Sequence, residues 1–136
     1  MEVEFITKYP KTEIEINTMS PLTWAYVGDC VYELYIRTYL IEKSHQKPHY
    51  LHIEATKYVK AGAQAEILRK IREDLTEEEK EIVRRTRNTQ NYHLPKNANP
   101  VDYAYATALE GLIGYLFLMG KKERLSQILE MCVDSI

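Results

Sequence analysis

The chain has 136 residues, enough for one ordinary domain with a single core. Its composition, 45% hydrophobic and 28% charged with five glycines and five prolines, excludes a disordered chain. A formal net charge of -2 excludes a chain that is basic throughout, though not a local basic patch.

Residues 1–19 begin MEVEF, with two acids where a signal peptide carries bases, and no run in the chain approaches the roughly 20 apolar residues of a membrane span. The expectation is a cytoplasmic protein with no membrane partner. The alternating TEIEI suits a short strand or an irregular piece, so 1–19 is set apart as an N-terminal arm before a domain at 20–136.

Ser20 then Pro21 supplies an N-cap and a first-turn proline, and apolar residues continue at helical spacing through LTWAYVGDCVYELYIRTYLIEK. KPHYLHIEATKYV repeats the pattern behind Pro48, and AGAQAEILRKIRED extends it. Thr76 and Glu79 form a capping box ahead of EEKEIVRRTRN. Residues 89–102, TQNYHLPKNANPVD, read as an exposed loop, and loops of this length in a compact domain usually have a job. The helix DYAYATALEGLIGYLFLMG follows, stopped by Gly120, and KKERLSQILEMCV forms a last amphipathic helix. The chain therefore reads as all-α. Cys30 and Cys132 have no CxxC pairing and are expected to be core thiols.

Two acids sit where acids are hard to bury. Asp29 follows Gly28 inside an apolar helix, and Glu110 lies in the most apolar helix beside Gly111, on a stripe with Thr107, Ile113, Gly114 and Phe117. Gly111 and Gly114 let that helix approach another backbone closely, so two such helices can bring the acids together. A divalent cation between them keeps both ionised, and magnesium suits oxygen ligands of this kind. The alternative is that each acid pairs with a base such as Arg37 or Lys60, or points to solvent. Glu33, one turn after Asp29, is a candidate outer-shell acid.

Between Ile82 and Ala98 the chain carries Arg84, Arg85, Arg87 and Lys96 and no acid, with Asn88, Asn91, Tyr92, His93 and Asn97 interleaved. This local positive excess is suited to phosphates. Dipole complementation at a helix end explains Arg84 and Arg85 but not Lys96. His45, His49 and His52 lack a recognised metal signature and are expected to be exposed.

WAYVGDCVYELYIR resembles the signature of the ribonuclease III catalytic domain, and ALEGLIGYLFL is similar to the family's second motif, in which a metal-binding glutamate precedes an apolar, glycine-containing helix. The resemblance implies an all-α endonuclease domain that dimerises and cleaves double-stranded RNA with magnesium. Asp29 and Glu110 fall on metal and catalytic positions. Ala25 and Thr107 stand where the family has two further carboxylates, and no room is left for the usual double-stranded-RNA-binding domain. Both departures resemble the subgroup Mini-ribonuclease III, as do QAEIL, RTRN, PKN and RLSQ. That likeness implies maturation of large-subunit (23S) ribosomal RNA precursors, with products bearing a 5′-phosphate and a 3′-hydroxyl.

On this reading Arg84, Arg85, Arg87, Asn88, Lys96 and Asn97 contact RNA, with Lys60 and Gln64 adding phosphate or 2′-hydroxyl contacts. Aromatic surface around Trp24 to Tyr35 exceeds what a small monomer readily buries, which also favours a homodimer. Two rivals remain on the sequence alone: a non-catalytic RNA-binding protein on the same fold, and a small-nucleotide phosphohydrolase.

Overall fold

The structure, a computed structural model, describes residues 11–43, 47–89 and 94–136. Among the described residues seven α-helices follow in order: α1 (Glu13–Thr18), α2 (Pro21–Lys43), α3 (Pro48–Val59), α4 (Ala61–Ile71), α5 (Glu77–Asn88), α6 (Pro100–Leu118) and α7 (Lys122–Asp134), with a 3₁₀ turn at Arg72–Asp74 after α4. There is no strand among the described residues, so the fold is all-α, as the sequence predicts.

Helix α6 is the axis of the molecule. Every residue from Gly111 to Phe117 is buried, and α2, α4 and α5 pack around it. An all-round apolar sequence is what a helix surrounded by others requires. The crossing of α6 with α2 is a contact between backbones. A Cβ built on Gly28 would lie 1.7 Å from the Glu110 carbonyl oxygen, and one on Gly114 would lie 1.8 Å from the carbonyl oxygen of Trp24. Each glycine costs about 1 kcal/mol of helix propensity. What offsets that cost is an approach between helices that any side chain would prevent.

The helix ends follow the expected signals. Thr76 and Glu79 complete a capping box, Leu22 N–H donates to Ser20 Oγ at 3.2 Å, and Pro48 opens α3. Gly120 takes a φ of 72° just past α6. The stretch from Pro48 to Asp74 is two helices, because Lys60 is extended (φ -68°, ψ 152°) and serves as both the end of α3 and the start of α4. The loop ends earlier than its composition suggested: Asn99 Oδ1 accepts from the N–H groups of Val101 and Asp102, so α6 begins at Pro100.

Two expectations are corrected. TEIEI is neither strand nor irregular; it forms α1 behind a Thr12–Glu15 capping box. Ile16 is fully buried and its carbonyl accepts from Trp24 Nε1 at 2.9 Å, so this half of the arm belongs to the core. Residues 1–10 lie outside the described residues. Cys132 is a buried thiol whose pKa burial pushes up to about 12, but Cys30 is exposed on the outer face of α2.

A second polar feature ties the far end of the bundle. Glu79 is buried and takes a two-pronged ion pair from Arg124 of α7, at 2.7 and 2.8 Å, while the same guanidinium donates to the Asp74 carbonyl at 2.9 Å. Burial works to raise the Glu79 pKa, but the Arg124 hydrogen bonds and the Thr76 cap hold its carboxyl below the usual range.

Candidate active site

The α2–α6 crossing places Asp29 beside Glu110. Gly28 rests on the carbonyl of Glu110 itself, so the residue after the glycine arrives next to the glutamate's side chain. Asp29 is exposed and Glu110 is partly buried. Burial pushes the Glu110 carboxyl up to about 9, and the adjoining Asp29 carboxyl, within hydrogen-bonding reach, and the charge of Glu33 push in the same direction. The amide of Gln64, on α4, opposes them by favouring the charged form. That amide lies near the carboxyl without being aligned for a full hydrogen bond: its Nε2 is buried and has no partner among the described residues.

The ligand oxygens that meet here are those of two carboxylates, with the Gln64 amide beside them as an N–H donor. No group of three or more His, Cys, Asp or Glu side chains among the described residues has metal-holding geometry. Two carboxylates, one of them exposed, match magnesium, which commonly takes one or two carboxylates and keeps several waters. A cation also offsets the causes of the raised Glu110 pKa, since it stabilises both ionised acids at once. The donor set therefore fits a divalent ion with oxygen preference.

Neither acid has an ion pair with a base among the described residues. Arg37 donates instead to Glu33, at 2.6 Å, which leaves Glu33 half-buried at the rim, one turn beyond Asp29. Ala25 is buried in the α2 core and has no ligand oxygen, and the Thr107 hydroxyl donates to the Tyr103 carbonyl at 2.8 Å, so neither position carries a carboxylate for an ion.

The basic segment is distributed differently from the even patch that the sequence suggested. Arg84 is ion-paired with Glu81, its Nε donating to Oε2 at 2.8 Å. Arg85 lies 5.0 Å over the Trp24 ring and donates to Asn17 Oδ1 at 3.2 Å. Arg87 sits 5.8 Å over Tyr105, near Asn88 Oδ1 at 3.5 Å. Beyond the helix, Lys96 is exposed and Asn97 adopts a φ of 69° in an exposed turn. Lys60 is exposed at the α3–α4 junction. Gln64 is buried against Glu110 and not on an outer face that RNA could reach. Asn91, Tyr92, His93 and His45 lie outside the described residues; His49 and His52 are exposed, as expected.

Sequence reasoning missed two of these arrangements. The proximity of Gln64 to Glu110 left no local signal, because it depends on how α4 packs on α6. The Glu81–Arg84 pair was legible as an i, i+3 spacing, but Glu81 fell one residue before the acid-free window.

Residues 22–121 match the family model described as Ribonuclease III domain. The chain belongs to the ribonuclease III family and is an endoribonuclease of that class. Within the family it groups with proteins named Mini-ribonuclease 3. It is 48% identical to that of Thermoanaerobacter sp. (strain X514) over 125 residues, 92% of this chain and 88% of the relative. It is 45% identical to that of Symbiobacterium thermophilum over 119 residues, 88% and 92% of the two chains. The crystal structure of protein FN1578 from Fusobacterium nucleatum superposes with a TM-score of 0.77 at 32% identity, covering 88% of this chain and 96% of that one.

Proposed function

We propose that the chain cuts double-stranded RNA using magnesium held by Asp29 and Glu110, as a homodimer, and that its substrate is the precursor of large-subunit (23S) ribosomal RNA in a bacterial cytoplasm. The observation that carries this reading is the glycine crossing that sets Asp29 against a Glu110 buried at a cost in its own ionisation. An enzyme keeps a carboxylate in such a setting when something other than the fold uses it.

Magnesium held by Asp29 and Glu110 would supply Lewis acidity to the scissile phosphate and a more acidic water, chemistry suited to products with a 5′-phosphate and a 3′-hydroxyl. The chain's own residues do the rest. Asp29, on the open side, meets solvent and substrate; Glu110 fixes the inner edge of the site from the central helix α6. Arg37 neutralises Glu33 and so limits the negative charge that an approaching phosphate meets. Lys60, Arg84, Arg87, Asn88, Lys96 and Asn97 face solvent in whole or part and are proposed to follow the RNA backbone. Arg85, stacked on Trp24, contributes its remaining donors. The ribosomal substrate rests on the likeness to the Mini-ribonuclease III group.

The test is to incubate the protein with long duplex RNA and, separately, with nucleoside triphosphates, each with magnesium or with chelator. Staggered double cuts in duplex RNA alone, abolished by chelator and by Asp29→Asn, support the proposal. Binding without cutting, or hydrolysis of triphosphates, overturns it.

A further inference from the structure

Gln64 is the polar side chain of the site that the two acids do not account for. It is 3% exposed, among Ala65, Ile67 and Leu68, which are themselves buried, and its Nε2 has no hydrogen-bond partner among the described residues. A buried amide donor without an acceptor destabilises a fold, and an apolar side chain of the same length fits a helix core better. The acceptor nearest in chemistry is the Glu110 carboxyl, which already feels the amide. Thr107, one turn before Glu110 on the same helix, donates its hydroxyl hydrogen to the Tyr103 carbonyl and does not accept from Gln64 Nε2.

We propose that Gln64 is the positioning residue of the site: its amide donates to the ionised Glu110 carboxylate, and so turns one fixed oxygen of Glu110 toward a divalent cation shared with Asp29. The inference rests on the reading of Asp29 and Glu110 as the cation's ligands. In the structure Asp29 lies against Glu110, and the Gln64 Nε2 has no partner among the described residues. With both acids ionised around a cation, the second oxygen of Glu110 becomes a full acceptor, and the buried donor is satisfied. Gln64 then affects RNA only through Glu110, because it is sealed from the outer surface.

This makes two effects of opposite sign. Gln64→Met keeps an unbranched side chain of similar length and removes the orphaned donor. In chelator the variant melts no lower than wild type. Its affinity for manganese ion, read from the free-ion spin resonance signal during titration, falls about tenfold. The Kd for duplex RNA measured in chelator, and its salt dependence, stay as in wild type. Manganese affinity within twofold of wild type overturns the inference. So does a lower melting temperature with unchanged manganese affinity, which is what a purely structural glutamine gives. Loss of RNA affinity in chelator overturns it too, since that is the signature of a direct RNA contact.

Asp29→Asn separates the two levels of the argument. If Asp29→Asn retains wild-type manganese affinity, the reading of the acids as ligands fails and this inference falls with it. If Asp29→Asn loses manganese and Gln64→Met does not, only the inference fails. A measurement on the unaltered protein guards against a variant that does not fold: the side-chain NH₂ resonances of Gln64 should move when magnesium chloride is added. Fixed Gln64 resonances beside shifting backbone signals at Glu110 overturn the proposal.

Discussion

At Gly28 the fold and the chemistry depend on the same missing atom. A methyl group there meets the Glu110 carbonyl at 1.7 Å, so α2 and α6 must separate before it fits. Gly28→Ala is therefore expected to cost about 3 kcal/mol, at the upper end for overpacking, and to lower cleavage beyond the loss of folded protein because Asp29 moves away from Glu110. Denaturant melts and activity per folded molecule check the two parts. The acids themselves behave differently. Asp29→Asn or Glu110→Gln should leave the fold and RNA binding intact and reduce cleavage at least 100-fold, about 2.7 kcal/mol of transition-state stabilisation. Cleavage within threefold of wild type rules the pair out. Glu110→Gln carries a further sign. The folded carboxyl ionises near 9 against 4.5 for a free glutamate, so native protein holds a proton that unfolded chain has released between those values. Without metal, wild type loses stability as pH rises through that window, and the glutamine variant does not. Metal-free Glu110→Gln should thus melt higher than wild type at pH 8, with the difference fading toward pH 5.

At the scale of elements, the local signals were legible and the long-range ones were not. Caps at Ser20, Thr76 and Gly120 are written in adjacent residues, and so were read from sequence. The period-two TEIEI misled because six residues hold too little pattern to outweigh a capping box and the burial of Ile16. The acids at 29 and 110 were found because each breaks an apolar helix beside a glycine, whereas Gln64 breaks nothing. Arg124 was invisible for the same reason: an arginine in the first turn of an amphipathic helix is ordinary until its partner is seen on α5. Breaking that buried pair with Arg124→Ala should cost about 3 kcal/mol, because Glu79 stays behind uncompensated. Since the folded Glu79 pKa lies below 4.5, the pair's stabilisation is present above that pH and is lost as pH falls through the folded value. Wild type and variant should converge in acid, measurable by melts between pH 7 and pH 3. The loop after α5 allows a comparable test. Lys96 lies beyond the helix end, so Lys96→Ala should flatten log K against log[salt] by about 0.7 to 0.9 units if it touches a phosphate, with thermal stability unchanged.

At the scale of the whole molecule, one face of the longest helix carries exposed apolar side chains among the described residues. The sequence favoured a dimer because aromatic residues crowd α2, but Trp24 and Tyr32 are fully buried within the single chain, where Trp24 meets Tyr115 edge-on at 5.0 Å. The surplus lies on other residues. Tyr26 is 78% exposed, Leu34 43% and Ile41 57%, and with Cys30 they form one stripe at helical spacing down the outer face of α2. A stripe of this kind on a self-matching helix suits a two-fold contact, in which the same patch serves both partners. The same helix carries Asp29, so pairing along it holds two acid sites at a fixed separation, one for each strand of a duplex. Replacing both Tyr26 and Leu34 with glutamate puts like charges opposite one another in such a contact while leaving the buried face of α2 untouched. Light scattering should then change from a dimer of the 16.0 kDa chain to a monomer, with the circular dichroism spectrum preserved. The monomer should lose staggered double cutting of duplex RNA by a factor of at least ten while keeping its affinity for manganese, because each acid pair is built within one chain. A wild-type protein that scatters as a monomer at micromolar concentration and still cuts both strands removes the dimer from the mechanism.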